Sequence, residues 1–575
     1  MNGECITMRY KCNICGNFSH EDKCKICEKD SIMEKVQIPY CKHCKMPVWN
    51  MNSEQTCIVC GNYIEEYYAD IIPVFLEEKI LLSAIYGEEI YKQSVWSLGG
   101  NRYLVDNEKK RLIVSNIKDT KEISKRYYSL LKTLDLEMLI KNENEFLEKF
   151  TKANKERFLE IEIEAHKYTV DVFNKNKNRI AFISFSGGKD SIVVSDIVRQ
   201  ALSRNDILHI FGNTTLEMED TINFIDEFKK ENPIVPFIEV KSDKNFMKLC
   251  EEIGPPTRIR SWCCSIFKSG PISQVLNTIT YEKKGIKHDK FLTFYGIRAE
   301  ESSARNKYGR TSNSPKITSQ KVVSPVYGWL DYDIWLYILT RRLKYNHAYR
   351  LGYRRVGCWC CPNNSKWSEL LNNIYYEDMQ SEWTEFLYNF AQKIGKKDYK
   401  EYVNGGYWKA RHGGTGLNND HTKIDKTPCI DKKFENYIIQ KSYTDFMDEY
   451  LKPFGILKKK VNKEAVEILI YKGKSNKKLF KIETRYNSKI IKFMPYETKN
   501  ATLLKQRFEC QLRKYQLCIK CSACDSICPR GAISTFNNLY KIDINKCIHC
   551  LKCIAKFNGG CLINEVLIKK EEKNE

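Results

Sequence analysis

Eight cysteines near the C-terminus are spaced for metal chemistry. Cys518, Cys521, Cys524 and Cys528 stand in C-x2-C-x2-C-x3-C order, closed by Pro529, and Cys547, Cys550, Cys553 and Cys561 follow. Such runs supply the thiolates that hold [4Fe–4S] cubes, four to each cube. At the other end, Cys12, Cys15, Cys24 and Cys27 form C-x2-C-x8-C-x2-C, and Cys41, Cys44, Cys57 and Cys60 form C-x2-C-x12-C-x2-C. Two C-x2-C knuckles complete a tetrahedron around zinc. Two structural zinc ribbons are expected, with interleaved pairing open and iron as the alternative metal. Four-thiolate sites leave no coordination position for catalysis.

Between these ends lies a third kind of chemistry. Ser186-Gly187-Gly188-Lys189-Asp190-Ser191 follows the buried-strand pattern RIAFISF and precedes the helical IVVSDIVRQAL. A strand, a glycine-rich turn and a helix N-terminus make an anion cradle. Gly187 and Gly188 admit phosphate close to the backbone, Lys189 adds a cation, and Ser186 and Ser191 offer hydroxyls. Further strands are expected at ILHIFG, PFIEV and FLTFYGI, with a helix from about Asp220. This alternation predicts an α/β fold, a doubly wound, mostly parallel sheet with its ligand at the strand C-termini.

The C-terminal run resembles a two-cluster bacterial-type ferredoxin, an α+β domain. That resemblance implies one cube on Cys518, Cys521, Cys524 and Cys561, and a second on Cys528, Cys547, Cys550 and Cys553. The seven-residue gap Ile554 to Gly560 departs from the usual run and implies a looser loop before Cys561. The SGGKDS block resembles the PP-loop of adenine-nucleotide alpha-hydrolases and lacks the Walker spacing. With GPPTRIRSWCCSIFKSGP, YGIRAEESSAR and the segment from SPVYGWLDYDIWLYI to CWCCP, it resembles the phosphoadenosine phosphosulfate (PAPS) reductase family. The resemblance implies a nucleotide pocket of Ser186, Gly187, Gly188, Lys189, Asp190, Ser191, Asn213, Thr214, Thr215, Glu301 and Ser302. Lys189, Asp190 and Arg298 are implied as catalytic, with ATP and Mg²⁺ as ligands. Cys263, Cys264, Cys358 and Cys361 resemble the ligands of a core [4Fe–4S] cluster, with Cys360 as the alternative to Cys361. Lys268 and Arg355 near these cysteines are expected either to offset its charge or to be ordinary surface residues. In all, three [4Fe–4S] clusters and two Zn²⁺ are expected.

The chain has 575 residues, 25 cysteines and a formal net charge of +22. Five four-thiolate metal sites would lower that charge to roughly +12. The remaining basicity suits a polyanion. Neither a membrane span nor a secretory leader is expected, and paired cysteines without a leader point to the cytoplasm. Expected organisation is zinc ribbons over 1–61, a small β-rich module over 62–125 that weakly resembles PUA-like RNA-binding domains, and a helical connector over 126–177. The PAPS reductase-like PP-loop domain follows over 178–430, then a basic spacer over 431–510 and the ferredoxin domain over 511–575.

A complete PP-loop and the lack of an ECG-type tail point to ATP-dependent sulfur transfer to a nucleic acid, tRNA or DNA. A sulfur donor such as a cysteine desulfurase and an electron-donor protein would then be partners. Reduction of adenylyl sulfate or phosphoadenylyl sulfate is the second expectation. A redox-sensing nucleic-acid-binding protein is the third.

Overall fold

The structure is a computed structural model. It describes residues 10–12, 18–19, 24, 27, 33–49, 55–117, 119–279, 281–283, 286–288, 290–301, 309–314, 316–473, 476–496 and 500–568. Among the described residues no helix is long and apolar enough to cross a membrane.

The centre is a six-stranded sheet. Its order is Phe237–Lys241, Leu208–Asn213, Ile180–Ser184, Phe291–Phe294, Gln320–Val323 and Thr311–Asn313. All pairings are parallel except the last, which is antiparallel. Helices Lys189–Leu202 and Glu219–Glu231 follow the first two strands in chain order. The sheet is α/β and mixed, in keeping with the expected core.

N-terminal to it, strands Tyr10–Cys12, Phe18–Ser19 and Met33–Lys35 make one small antiparallel sheet. Strands Ile38–Cys41, Met46–Pro47 and Glu66–Tyr68 make another. A four-stranded antiparallel sheet covers Ile72–Pro73, Val95–Ser97, Arg102–Val105 and Glu108–Arg111, with helix Leu76–Tyr86 after its first strand. The hairpin between its last two strands turns at Asp106 and Asn107, both at positive φ (44° and 77°), as a tight two-residue turn demands.

Two segments expected to link domains are packed against the rest of the fold. The connector is three helices, Thr120–Thr133, Leu136–Ala153 and Lys155–Asn174. Their apolar faces are not a tether. Phe150, Phe158, Ile161 and Ala165 join one core with Val193, Ile197 and Leu336 of the α/β unit and with Ile38, Tyr40 and Cys57 of the second ribbon. Arg157 locks this layer through a bidentate pair with the fully buried Asp333 (2.9 and 3.1 Å).

The basic spacer is also a folded unit. A six-stranded antiparallel sheet runs Asp425–Pro428, Glu435–Ile438, Ile490–Pro495, Lys478–Arg485, Ala465–Lys472 and Gly455–Asn462. Val466, Ile468 and Ile470 alternate inward, and Phe480 and Phe493 meet Phe508 of helix Ala501–Leu517. Lysines on the opposite face mask this period-two pattern in the sequence.

Candidate functional site

The strand Ile180–Ser184 delivers the SGGKDS turn to the N-terminus of helix Lys189–Leu202. Gly187 sits at φ 72°, and a Cβ there would approach Thr221 Cγ2 at 3.3 Å, so conformation and space both require glycine. Ser191 shapes the turn: its hydroxyl accepts from Ser186 N (3.1 Å) and donates to Gly188 O (2.8 Å). The Lys189 amide donates to the Tyr349 hydroxyl at 2.9 Å.

Behind the turn lies a buried group of alternating charges. Lys189 Nζ is 3.2 Å from Asp190 Oδ2 and 3.1 Å from Asp331 Oδ1. Arg298 Nε meets Asp190 Oδ1 at 2.6 Å, and its Nη2 meets Asp331 Oδ1 at 2.7 Å. Burial opposes every charge here, yet the opposite charges win. The carboxylates of Asp190 and Asp331 hold Lys189 and Arg298 above their usual ranges, and the two cations hold both carboxyls below theirs. The set is therefore fully ionised and close to neutral.

The structure thus brings Lys189, Asp190 and Arg298 together, and adds Asp331, which the sequence reading missed. The signal lay in GWLDYDIW. Asp333 caps its own helix by accepting from Leu330 N (3.0 Å), which leaves Asp331 for the cations. Glu301 accepts from the Arg298 amide at 3.2 Å. Ser302 lies outside the described residues.

The loop after Leu208–Asn213 links this pocket to the cysteines. Asn213 donates to Glu239 (2.7 Å) and accepts from Thr215 N (2.8 Å). Thr214 donates through its amide and hydroxyl to Glu217 (3.0 and 2.8 Å), a residue not singled out in the sequence. Thr214 Oγ1 and Cys358 Sγ lie 3.4 Å apart, and Trp359 N donates to Leu216 O at 3.0 Å. The 358–361 turn is thereby fixed against the 213–217 loop.

Cys263 and Cys264 end the short helix Trp262–Cys264, anchored by buried Trp262, whose indole donates to Gly254 O (3.1 Å). The hydrogen bond from Cys263 lowers the Cys264 thiol below its usual range, and Lys316, Lys268 and Arg355 act in the same direction. Lys316 was not anticipated. Burial pushes the Cys361 thiol above its usual range; Cys264 adds to this and Arg355 opposes it. Cys360 is 4% exposed and belongs to the apolar core of Leu216, Phe246, Leu249 and Cys250, against which Cys263 and Cys358 also pack.

The eight C-terminal cysteines line two separate cavities. Cys518, Cys521, Cys524 and Cys561 surround one with Lys514 and Tyr540. Cys528, Cys547, Cys550 and Cys553 surround the other with Pro529 and Ile542. Lys520 and Ser522 flank Cys521 at φ 54° and 57°, and His549 and Leu551 flank Cys550 at φ 52° and 58°. Left-handed residues without glycine are strained, and alternation of this kind turns amides inward as an anion nest. The Tyr540 hydroxyl is buried and has no hydrogen-bond partner, as a wall facing cluster sulfur would be. The residues fit two [4Fe–4S] groups. The loop before Cys561 is not loose, because Gly559 and Gly560 adopt φ 67° and 84° and Gly560 packs on Cys510.

In the second ribbon, the sulfurs of Cys41, Cys44, Cys57 and Cys60 lie within 4.8 Å of one another, as do those of Cys12, Cys24 and Cys27. Cys41–Cys60 and Cys44–Cys57 are 3.5 and 3.9 Å apart. A tetrahedron with zinc–sulfur bonds of about 2.3 Å has edges of about 3.8 Å. These residues fit a single zinc ion. Cys15 lies outside the described residues.

Residues 180–364 match the family described as Phosphoadenosine phosphosulfate reductase domain. An uncharacterized protein of Methanocaldococcus jannaschii is 30% identical over 263 residues, 45% of this chain and 61% of its own. The chain thus spans about three fifths of the length of this curated relative. The adenosine 5′-phosphosulfate reductase of a Geobacillus strain is 26% identical over 193 residues, 33% of this chain and 76% of its own. A solved phosphoadenylyl-sulfate reductase of Candida auris is 14% identical, with a TM-score of 0.26, covering 37% of this chain and 96% of that one. The likeness to the PAPS reductase family thus lies in the segment 180–364, which holds the SGGKDS turn and the paired cysteines.

Proposed function

We propose that the chain is an iron–sulfur PP-loop enzyme that activates an acceptor with ATP and transfers sulfur to it, the acceptor being a nucleic acid. The observation that carries this reading is the 3.4 Å approach of Thr214 Oγ1 to Cys358 Sγ, which joins the nucleotide loop to the core cysteines. Ser186 to Ser191 and the Lys189 and Arg298 cations receive the phosphates. Asp190 and Asp331 neutralise those cations until Mg²⁺ and ATP compete for the same charges. Cys263, Cys264, Cys358 and Cys361 hold the core cluster, and the C-terminal cysteines hold two more. When bound, these groups supply one-electron transfer. Sulfur delivered as a persulfide needs two electrons to leave as sulfide.

The path for those electrons is supported by packing. Cys561, Leu517, Ala523 and Ile563 share one apolar core with Trp262, Phe267 and Cys360, and Cys263, Cys358 and Cys521 pack against it. A Cβ on Gly270 would lie 2.1 Å from Ser522 Oγ, so the Cys521 turn rests directly on the helix that follows Cys264. Arg260 and Glu565 add an ion pair at 3.1 Å. The set around Cys518 is thus the inner one, and the set around exposed Cys550 the outer one. An electron-donor protein would meet the outer set.

The named relatives favour a second reading, two-electron reduction of adenylyl sulfate to sulfite and AMP. One anaerobic assay separates the two. Sulfur transfer predicts AMP and pyrophosphate from ATP in the presence of tRNA or DNA, lost in Lys189→Ala and Asp190→Ala with cluster content unchanged. Sulfite from adenylyl sulfate without ATP consumption would establish the second and overturn the first.

A further inference from the structure

Lysine is among the residues least often buried, and an ammonium inside a protein needs a compensating negative charge. Lys514 is 1% exposed. Among the described residues no carboxylate within ion-pair distance of it is seen, and its Nζ donates to the Cys553 carbonyl at 2.6 Å. It sits in the last turn of helix Ala501–Leu517 but does not serve that helix's own carbonyls. Its side chain lines the cavity of Cys518, Cys521, Cys524 and Cys561. Burial opposes its charge, and the sulfurs of Cys524, Cys553, Cys561 and Cys518, three from one cavity and one from the other, favour it. The ammonium therefore stands in the wall between the two four-cysteine sets.

We infer that Lys514 is a fixed positive charge shared by both C-terminal cluster sites, which raises the reduction potential of each, the inner one more. The inference rests on the reading of these cavities as [4Fe–4S] sites. An added electron makes a cluster more negative, so a cation beside it favours the reduced form. Because Lys514 touches both walls, its removal lowers both midpoints, and the inner one more. An apolar side chain of equal length would fill the same space without this effect.

The test is potentiometric titration followed by electron paramagnetic resonance, with iron quantified per chain, on full-length wild type, Lys514→Met and Lys514→Arg. The expected result is full iron in all three. In Lys514→Met the reduced-to-oxidised ratio at fixed potential falls at least tenfold for the inner cluster, about 59 mV for one electron. Lys514→Arg stays within twofold of wild type. Iron loss in Lys514→Met that Lys514→Arg restores equally supports a required charge. Midpoints in Lys514→Met within twofold of wild type, or iron loss that Lys514→Arg does not restore, overturn the inference. A wild type without two C-terminal [4Fe–4S] signals overturns the cluster reading itself, which is a separate and visible failure.

Discussion

The two ends of the chain arrange sets of four cysteines in opposite ways. In the second ribbon four sulfurs close to within 4.8 Å, the span of one ion. At the C-terminus the same four-cysteine count lines open cavities, with strained left-handed residues either side of Cys521 and Cys550. Among the described residues, no group of three or more ligand atoms there approaches as closely as in the ribbons. On the proposed reading, the difference is that between a single-ion site and a cluster site. Two C-x2-C knuckles on hairpins converge on a point. A C-x2-C-x2-C turn wraps around a volume, and a distant fourth cysteine closes it.

This contrast can be broken by substitution. The largest effect is expected at the ribbon. Cys57 is 1% exposed and belongs to the core shared with the PP-loop unit. Cys57→Ala should release one zinc and destabilise that whole unit, since structural zinc contributes on the order of 10 kcal/mol. Cys550 is exposed, so Cys550→Ala should remove about four iron atoms and leave the fold standing. Metal analysis and circular dichroism on both variants check this. Equal damage from the two would erase the distinction.

A middle-sized effect is expected at the nucleotide turn, where charges compensate one another without any metal. Arg298 is 2% exposed and touches both Asp190 and Asp331. Arg298→Met leaves two carboxylates with one cation and should cost about 3–5 kcal/mol. The check is thermal unfolding with iron and zinc content measured beside it. Unchanged stability would mean that the charges are solvated rather than coupled.

The smallest effect concerns pH. His209 is fully buried between Ser195 Oγ (2.8 Å) and the Ile207 carbonyl (2.8 Å). Burial lowers it from 6.5 to about 4. The folded state binds its proton more weakly than the unfolded state. Its contribution is therefore complete above pH 6.5 and is lost as pH falls toward 4. By pH 5.5 the loss is about 1.4 kcal/mol. His209→Gln should flatten the pH dependence of the thermal transition between pH 7.5 and 5.5, and an unchanged slope would contradict the assignment.

Sequence reading reached what is written in local spacing. The knuckles, the SGGKDS turn and the strand–helix alternation are all short-range patterns. It failed where a role depends on what a distant neighbour does. Asp331 and Asp333 look alike in GWLDYDIW, and only the fold shows one capping a helix while the other joins Lys189 and Arg298. Glu217 gains meaning only beside Thr214 and Cys358. Lys514 reads as one more surface lysine until Cys553 is folded over it. Over 431–510 the strand-and-turn pattern of ILKKKVNKEAVEILIYKGKSNKKLF is legible, and what the lysines on one face of the sheet conceal is that its other face is a core.

The account stands most directly on metal content. Anaerobically purified protein should hold about two zinc, about twelve iron and about twelve acid-labile sulfides per chain. Cys264→Ala should remove about four of the iron atoms without touching the zinc. A wild type with about eight iron would contradict the core cluster beside the nucleotide loop. Iron without labile sulfide would contradict the division between single-ion and cluster sites.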